Sequence, residues 1–392
     1  MHPDQDTIVQ HSPHAVLSHW VFDGRRWHSN VAVLIEDGRI RGLAPWSEVP
    51  EHWPQQRLPD GALLAPGFID LQVNGGGGIL LNDDPTAESM RAIARAHRRY
   101  GTTACLPTLI SDSRQRTQAA IAAARSAAGS DGVLGLHLEG PFISPARPGI
   151  HRLDHIVTPS LGDLDWLADL AGAGRSLITL APERLPDGFL RRLAGAGIRV
   201  SVGHSEATAE IVMKAVADGL SGVTHLFNAM PPFAGRQPGI VGAAFAEQHL
   251  TAGIIVDGVH VDPIAIRAAF AAKGADGMTL VTDAMPSVGA GLDQFQLMGR
   301  TISLHEGRLT APDGTLAGAH LDMASAVRNA VRLVKLPLDD ALRAASLTPA
   351  RFLGVEGERG ALTHGARADM VALTPDLEVV GVWVDGAEQS WA

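Results

Sequence analysis

The chain has 392 residues, 45% of them hydrophobic and 19% charged, with a net charge of -10; it can bury a large core and is neither disordered nor fibrous. The acidic balance excludes nucleic acid and anionic membranes as partners, since both need a basic face, but leaves room for a small anionic substrate held by a few local donors. A single cysteine, Cys105, excludes a disulfide framework and a cysteine-built zinc site, and within Thr103-Ala104-Cys105-Leu106 it reads as a buried inert thiol in a reducing compartment.

Residues 1–20 include Asp4, Asp6 and several histidines with no continuous apolar run. No later stretch reaches the roughly 18 uncharged apolar residues of a membrane span, so a soluble cytoplasmic protein is expected. Residues 15–60 hold short alternating runs such as Val31-Ala32-Val33-Leu34-Ile35, followed by the turn Glu36-Asp37-Gly38-Arg39, which is hairpin patterning. From about residue 62 to residue 285, β-branched or Leu-rich runs alternate with Ala- and Arg-rich stretches of helical period, the pattern of repeated βα units. Eight runs are expected as strands: Leu63 to Val73, Thr102 to Leu109, Val133 to Leu138, Ser176 to Leu180, Arg199 to Val202, Gly222 to Leu226, Ala252 to Val256 and Met278 to Val281. Ser89 to Tyr100 and Glu206 to Ala217 read as intervening amphipathic helices, the second with Ser205 as its N-cap. Residues 360–390 return to hairpin style, with Asp369-Met370-Val371-Ala372-Leu373 and Val379 to Gly386. The expected fold is α/β: a (β/α)₈ TIM-like barrel over 62–350, with a small β-sandwich domain assembled from 1–61 and 351–392. Two independent hairpins lying on the barrel are the alternative for the chain ends.

In such a barrel the chemistry sits at the carboxyl ends of the strands. Four of the expected strands hand over abruptly to a chemical residue: His137-Leu138-Glu139-Gly140-Pro141-Phe142, Gly203-His204-Ser205, Thr224-His225-Leu226-Phe227-Asn228-Ala229-Met230, and Thr282-Asp283-Ala284-Met285. A hydrolytic metal wants about three N/O ligands and an open position for water, and Zn²⁺ or Fe²⁺ suits imidazole plus carboxylate. Glu139, His204 and His225 supply that set. Asp283 is a fourth ligand, a helix cap or a proton shuttle; we favour the shuttle, because one carboxylate can deprotonate water and then protonate the leaving nitrogen. His137 shares a strand face with Glu139 and is assigned behind the ligands rather than among them.

The turn after the first expected strand, Pro66-Gly67-Phe68-Ile69-Asp70-Leu71-Gln72-Val73-Asn74-Gly75-Gly76-Gly77-Gly78, carries Gln72 and Asn74 where many barrel hydrolases place two histidines for a second metal. Carboxamides are poor ligands, and Lys214, Lys273 and Lys335 all fall in expected helices rather than at strand ends, so no carbamylated lysine can bridge two ions. One metal follows. The glycine run lacks the Lys-Ser/Thr of a phosphate loop. An anion could instead meet the Asn228-Ala229 amides, Arg236 in Gly235-Arg236, His260 in Asp257-Gly258-Val259-His260, or His151 after Glu139, although Arg236 and His260 taken singly read as solvated loop residues.

Together these segments resemble the amidohydrolase superfamily, and within it the N-acetylglucosamine-6-phosphate deacetylases. The resemblance implies a (β/α)₈ metal hydrolase with Glu139, His204 and His225 as ligands of one divalent ion per subunit, Zn²⁺ first, with Fe²⁺, Mn²⁺ or Co²⁺ as alternatives. Asp283 is then the acid/base, with His151 beside the carbonyl. Ile150, His151, Asn228, Ala229, Arg236 and His260 would contact the sugar phosphate, and Leu316, Ala317 and Gly318 would line the acetyl side. It also implies a homodimer in which Arg236 and His260 reach across the interface. Galactosamine-specific relatives carry nearly the same motifs, and a cyclic-amide or N-acyl amino acid hydrolase and a catalytically dead barrel are the competing readings.

Overall fold

In the computed structural model residues 12–390 are described; the expectations for residues 1–11, including the missing apolar run, and for residues 391 and 392 lie outside them. Eight parallel strands form the central ladder in chain order: β1 (Phe68–Val73), β2 (Thr102–Ile110), β3 (His137–Glu139), β4 (Leu177–Leu180), β5 (Arg199–Val202), β6 (Gly222–Val223), β7 (Thr251–Ile255) and β8 (Met278–Val281). Every residue of β1, β2, β4 and β8 is buried, as expected where helices cover the outer face and side chains fill the interior, which is why these segments read as near-continuous apolar runs. The ring closes at a seam where Asp283 N–H donates to Gln72 O at 3.0 Å and Asn74 N–H to Ala284 O at 2.9 Å. Asp70 strengthens that seam: its carboxylate accepts Thr282 Oγ1 at 2.5 Å and the amides of Gln72 and Thr282 at 3.1 and 3.3 Å.

The expected run Leu63 to Val73 is two strands. Leu63–Pro66 joins the small sheet and, after Gly67, Phe68–Val73 enters the barrel. At the other end a helix, Leu347–Leu353, packs Phe352 and Leu353 into the barrel's core. Both chain ends form one continuous ladder: Met370–Leu373 pairs antiparallel with Leu63–Pro66, which pairs with His14–Phe22. The small domain is therefore a single eight-stranded sheet, not two hairpins, and it folds over its own core of Val33, Ile35, Leu64, Met370 and Trp383.

Three local expectations need correction. The third and sixth strands are shorter than their apolar runs, because at Val133 to Leu136 only an isolated bridge forms and after Val223 the chain turns. The helix expected from Glu206 spans Ala209–Ala217, capped by Thr208, whose side chain accepts the Ile211 amide; Ser205 instead donates to Glu183 at 2.7 Å. Lys335 lies in a loop, although still not at a strand end. A three-stranded antiparallel insertion after β8, formed by Gln294–Leu297, Arg300–His305 and Arg308–Thr310, was not expected at all. Its buried face, with Leu297, Ile302 and Leu309, packs on Leu80, Ile110 and Met285 and builds a wall beside the carboxyl ends of the strands.

Candidate active site

Glu139 ends β3, while His204, His225 and Asp283 follow β5, β6 and β8 at once. The backbone turns sharply there: His204, His225 and Asp283 have φ of 48°, 32° and 51°, a region that costs non-glycine residues energy and recurs at sites where side chains must be aimed. Gly318 packs against this floor, and a Cβ there would come within 2.8 Å of the Asp283 carbonyl oxygen. The four side chains open onto a cavity of ≈ 400 Å³, within the usual range for small-molecule sites.

At the cavity floor, Glu139 Oε1 lies 3.2 Å from His204 Nε2 and 2.9 Å from His225 Nε2, and the two imidazole nitrogens are 3.0 Å apart. His204 donates its Nδ1–H to Arg147 O at 2.8 Å, so Nε2 carries the lone pair that faces the other two. His225 Nδ1 has no hydrogen-bond partner among the described residues, so no donor there holds its Nε2 in the protonated form. The donor set fits a divalent ion. In the metal-free arrangement the charges compensate one another: burial alone would raise the Glu139 carboxyl, but the His204 and His225 bonds hold it well below the usual range. Burial alone would lower His225, but its Glu139 bond raises it. A metal ion would take the place of that proton.

Glu139, His151 and His204 also offer donor atoms that all lie within 4.8 Å of one another. His151 nevertheless differs from His204 and His225. Its Nδ1 accepts the Ser111 backbone N–H at 3.2 Å, so the ring proton sits on Nε2, which faces Glu139 at 3.8 Å. Burial, followed by the charge of His204, lowers His151 to about 3, leaving a neutral N–H donor beside the ion site.

Asp283 Oδ1 accepts Asn74 Nδ2 at 2.6 Å and Gln72 Nε2 at 3.2 Å, and Gln72 Nε2 also reaches Glu139 Oε1 at 3.1 Å. Burial, then the charge of Glu139, raises Asp283 to about 6, placing a proton acceptor near neutrality. His137 lies below the floor, its Nε2 2.7 Å from Thr179 Oγ1; burial lowers it to about 4 and it bonds none of the three ligand atoms.

Of the expected substrate contacts, Ile150, His151, Asn228, Ala229, His260, Leu316 and Gly318 line the cavity. Ala317 does not, being wholly buried behind the wall. Asn228 N–H is taken by His225 O at 2.9 Å, which leaves the Ala229 N–H as the backbone donor without an acceptor among the described residues. His260 lines the cavity of its own chain, its Nδ1–H held by Asp257 at 2.6 Å. Arg236 is exposed on the loop beyond and does not line that cavity. Asn82, Arg147, Met285, Leu297 and Thr315 line the site unforeseen; Leu297 arrives on the insertion and Thr315 just after it, and the insertion's short strands, with few buried residues, leave a faint sequence signal.

The profile of the Amidohydrolase family matches residues 63–388. The chain is 42% identical over 362 residues to the N-acetylgalactosamine-6-phosphate deacetylase of Shewanella sp. (strain ANA-3), covering 91% of this chain and 90% of that protein. It is 36% identical over 362 residues to the N-acetylglucosamine-6-phosphate deacetylase of Haemophilus influenzae, covering 91% and 93%. The crystal structure of N-acetylglucosamine-6-phosphate deacetylase from Pasteurella multocida superposes with a TM-score of 0.93 at 34% identity, over 97% of this chain and 100% of that one. With the barrel, the strand-end cluster of Glu139, His204 and His225 and the similarity over most of the chain in agreement, the chain belongs to the amidohydrolase family.

Proposed function

We propose that the protein hydrolyses the acetamide of N-acetyl-D-glucosamine 6-phosphate to D-glucosamine 6-phosphate and acetate, using one divalent ion per subunit held by Glu139, His204 and His225. The observation that carries this reading is one cavity in which the ligand trio and Asp283 share the floor with His151, while His260 and the free Ala229 N–H also line it. Two imidazoles and a carboxylate favour Zn²⁺, with Fe²⁺, Mn²⁺ and Co²⁺ as alternatives. A bound ion supplies Lewis acidity, polarising the acyl carbonyl and acidifying a water.

The chain's own residues do the rest. Asp283 accepts a proton from the attacking water as the new C–O bond forms, then returns it to nitrogen as the C–N bond breaks and its electron pair moves to nitrogen. His151 Nε2–H donates to the oxygen on which charge develops. Leu316 and Gly318 bound the acetyl group. The Ala229 N–H and His260 meet the phosphate in the same chain, and Arg236, outside its own chain's cavity, serves the site of the second subunit in a homodimer. A phosphorylated sugar and a single buried thiol, Cys105, suit the cytoplasm. Acetate release from the purified protein tests this reading.

A second reading, the C4 epimer N-acetyl-D-galactosamine 6-phosphate, is favoured by the 42% identity to the Shewanella enzyme. Comparing kcat/KM for the two epimers decides between them.

A further inference from the structure

Gln72 and Asn74 occupy alternate positions at the end of β1, where the sequence places amides instead of metal-binding imidazoles. They are not idle. The Asn74 Nδ2 and Gln72 Nε2 donors converge on a single atom, Asp283 Oδ1, at 2.6 and 3.2 Å. An ionised carboxylate only accepts, so both carboxamides must turn nitrogen toward it. Asp283 Oδ2 has no hydrogen-bond partner among the described residues, and Asp283 lines the cavity. The backbones are tied across the same seam by Asp283 N–H to Gln72 O at 3.0 Å and Asn74 N–H to Ala284 O at 2.9 Å. Asp70 clamps Thr282 and Gln72 from beneath. Donors and acceptor therefore sit on one rigid unit.

From this arrangement we infer that Gln72 and Asn74 are positioning residues that pin Asp283 by Oδ1, so that the proton of the hydrolytic cycle is accepted and returned at Oδ2 alone. The inference rests on the proposed role of Asp283 as proton shuttle. The terminal torsion of an aspartate is broad and nearly two-fold, so an unpinned carboxylate would present either oxygen, or swing onto a neighbouring cation. Two donors on one oxygen remove that freedom, which is the pre-organisation that proton transfer at a fixed distance requires. Because it is a neutral amide, Gln72 also stands between Asp283 and Glu139 without adding a group that titrates. Gln72 Nε2 bonds both carboxylates.

The discriminating substitutions are Asn74→Ala, which deletes the donor, and Asn74→Asp, which keeps its shape but turns donor into acceptor. We expect kcat to fall about 10- to 100-fold in Asn74→Ala, on the scale of lost supporting contacts around a metal site, with KM within about twofold and one ion per chain retained. Asn74→Asp should fall further. If Asn74 merely fills space, the isosteric Asn74→Asp will work like the unaltered enzyme and Asn74→Ala will be the poorer of the two, which overturns the inference. A second readout needs neither substrate nor metal. In ¹⁵N-resolved spectra of the metal-free protein, the Gln72 and Asn74 side-chain amide protons should lie downfield, and both should move upfield in Asp283→Ala. Signals unmoved by Asp283→Ala would overturn the pinning. An enzyme inactive on both sugar phosphates with these signals as expected would instead count against the proposed substrate.

Discussion

Replacing Asp283 by Asn isolates proton transfer from everything else the site does. The asparagine can keep its carbonyl oxygen under the Gln72 and Asn74 donors, 3.2 and 2.6 Å away from the present Oδ1, which puts its NH₂ where Oδ2 now faces the cavity. A donor then stands where an acceptor is needed, and both proton steps fail together. General acid–base catalysis is worth about 10²- to 10⁴-fold, so kcat should drop by at least about 10²-fold, or roughly 3 to 5 kcal/mol in the barrier. Folding should not suffer. Because burial and the Glu139 charge raise the folded carboxyl from 3.8 to about 6, the ionised form weakens the metal-free fold increasingly as pH climbs from about 4 to about 6. The Asp283→Asn substitution removes that cost, so the variant's metal-free Tm should match or exceed that of the unaltered protein at about pH 7.5 and lose the advantage below about pH 4. The kcat–pH profile of the unaltered enzyme should rise as Asp283 ionises. A bound cation offsets the Glu139 charge that helps hold Asp283 up, so the metal-loaded limb belongs below about 6. Acetate release, metal content and Tm on one preparation are the assay. Turnover within about threefold of the unaltered enzyme, with the ion in place, would refute the shuttle.

His225→Ala should leave a folded chain that no longer retains an ion after dialysis, because it removes one of three converging donors; a full equivalent by elemental analysis would show that His225 is no ligand. Asp70, buried with no cation against it among the described residues and raised by burial to about 7, should make the fold less stable as pH rises from about 4 to 7, and Asp70→Asn should flatten that slope in denaturant titrations at several pH values. Arg236→Ala should raise KM for the 6-phosphate sugar strongly and scarcely alter the poor hydrolysis of the unphosphorylated sugar, as removal of a charge-assisted phosphate contact requires. Equal losses on both sugars would return Arg236 to a structural role. If that arginine serves the neighbouring site, mixing Arg236→Ala and Asp283→Asn proteins under subunit exchange should restore activity through hybrid dimers with one intact site.

The barrel was legible because parallel strands buried on both faces must be apolar throughout, and eight such runs separated by helical stretches admit few other closures. The cluster of Glu139, His204 and His225 was legible for a related reason: each of the three ends an apolar run abruptly. Less visible was whatever depends on residues far apart in the chain. The split at Gly67 escaped detection because Leu63–Pro66 and Phe68–Val73 are both wholly buried and follow each other almost without a break, and only their partners differ. Ser205 resembled a cap until Glu183 claimed its hydroxyl. The convergence of Gln72 and Asn74 on one oxygen of Asp283, more than 200 residues later, follows from barrel closure and has no local signature. His260 was placed at the phosphate by resemblance alone; its bond to Asp257 belongs to the loop after β7 and has no signature in the apolar pattern.

The central claim is deacetylation supported by a single ion. Metal-free protein titrated with Zn²⁺, while acetate release from N-acetyl-D-glucosamine 6-phosphate is followed, tests it most directly. The account predicts that activity rises linearly and breaks at one ion per chain. A break at two ions, or a fully loaded chain that releases no acetate, would contradict it.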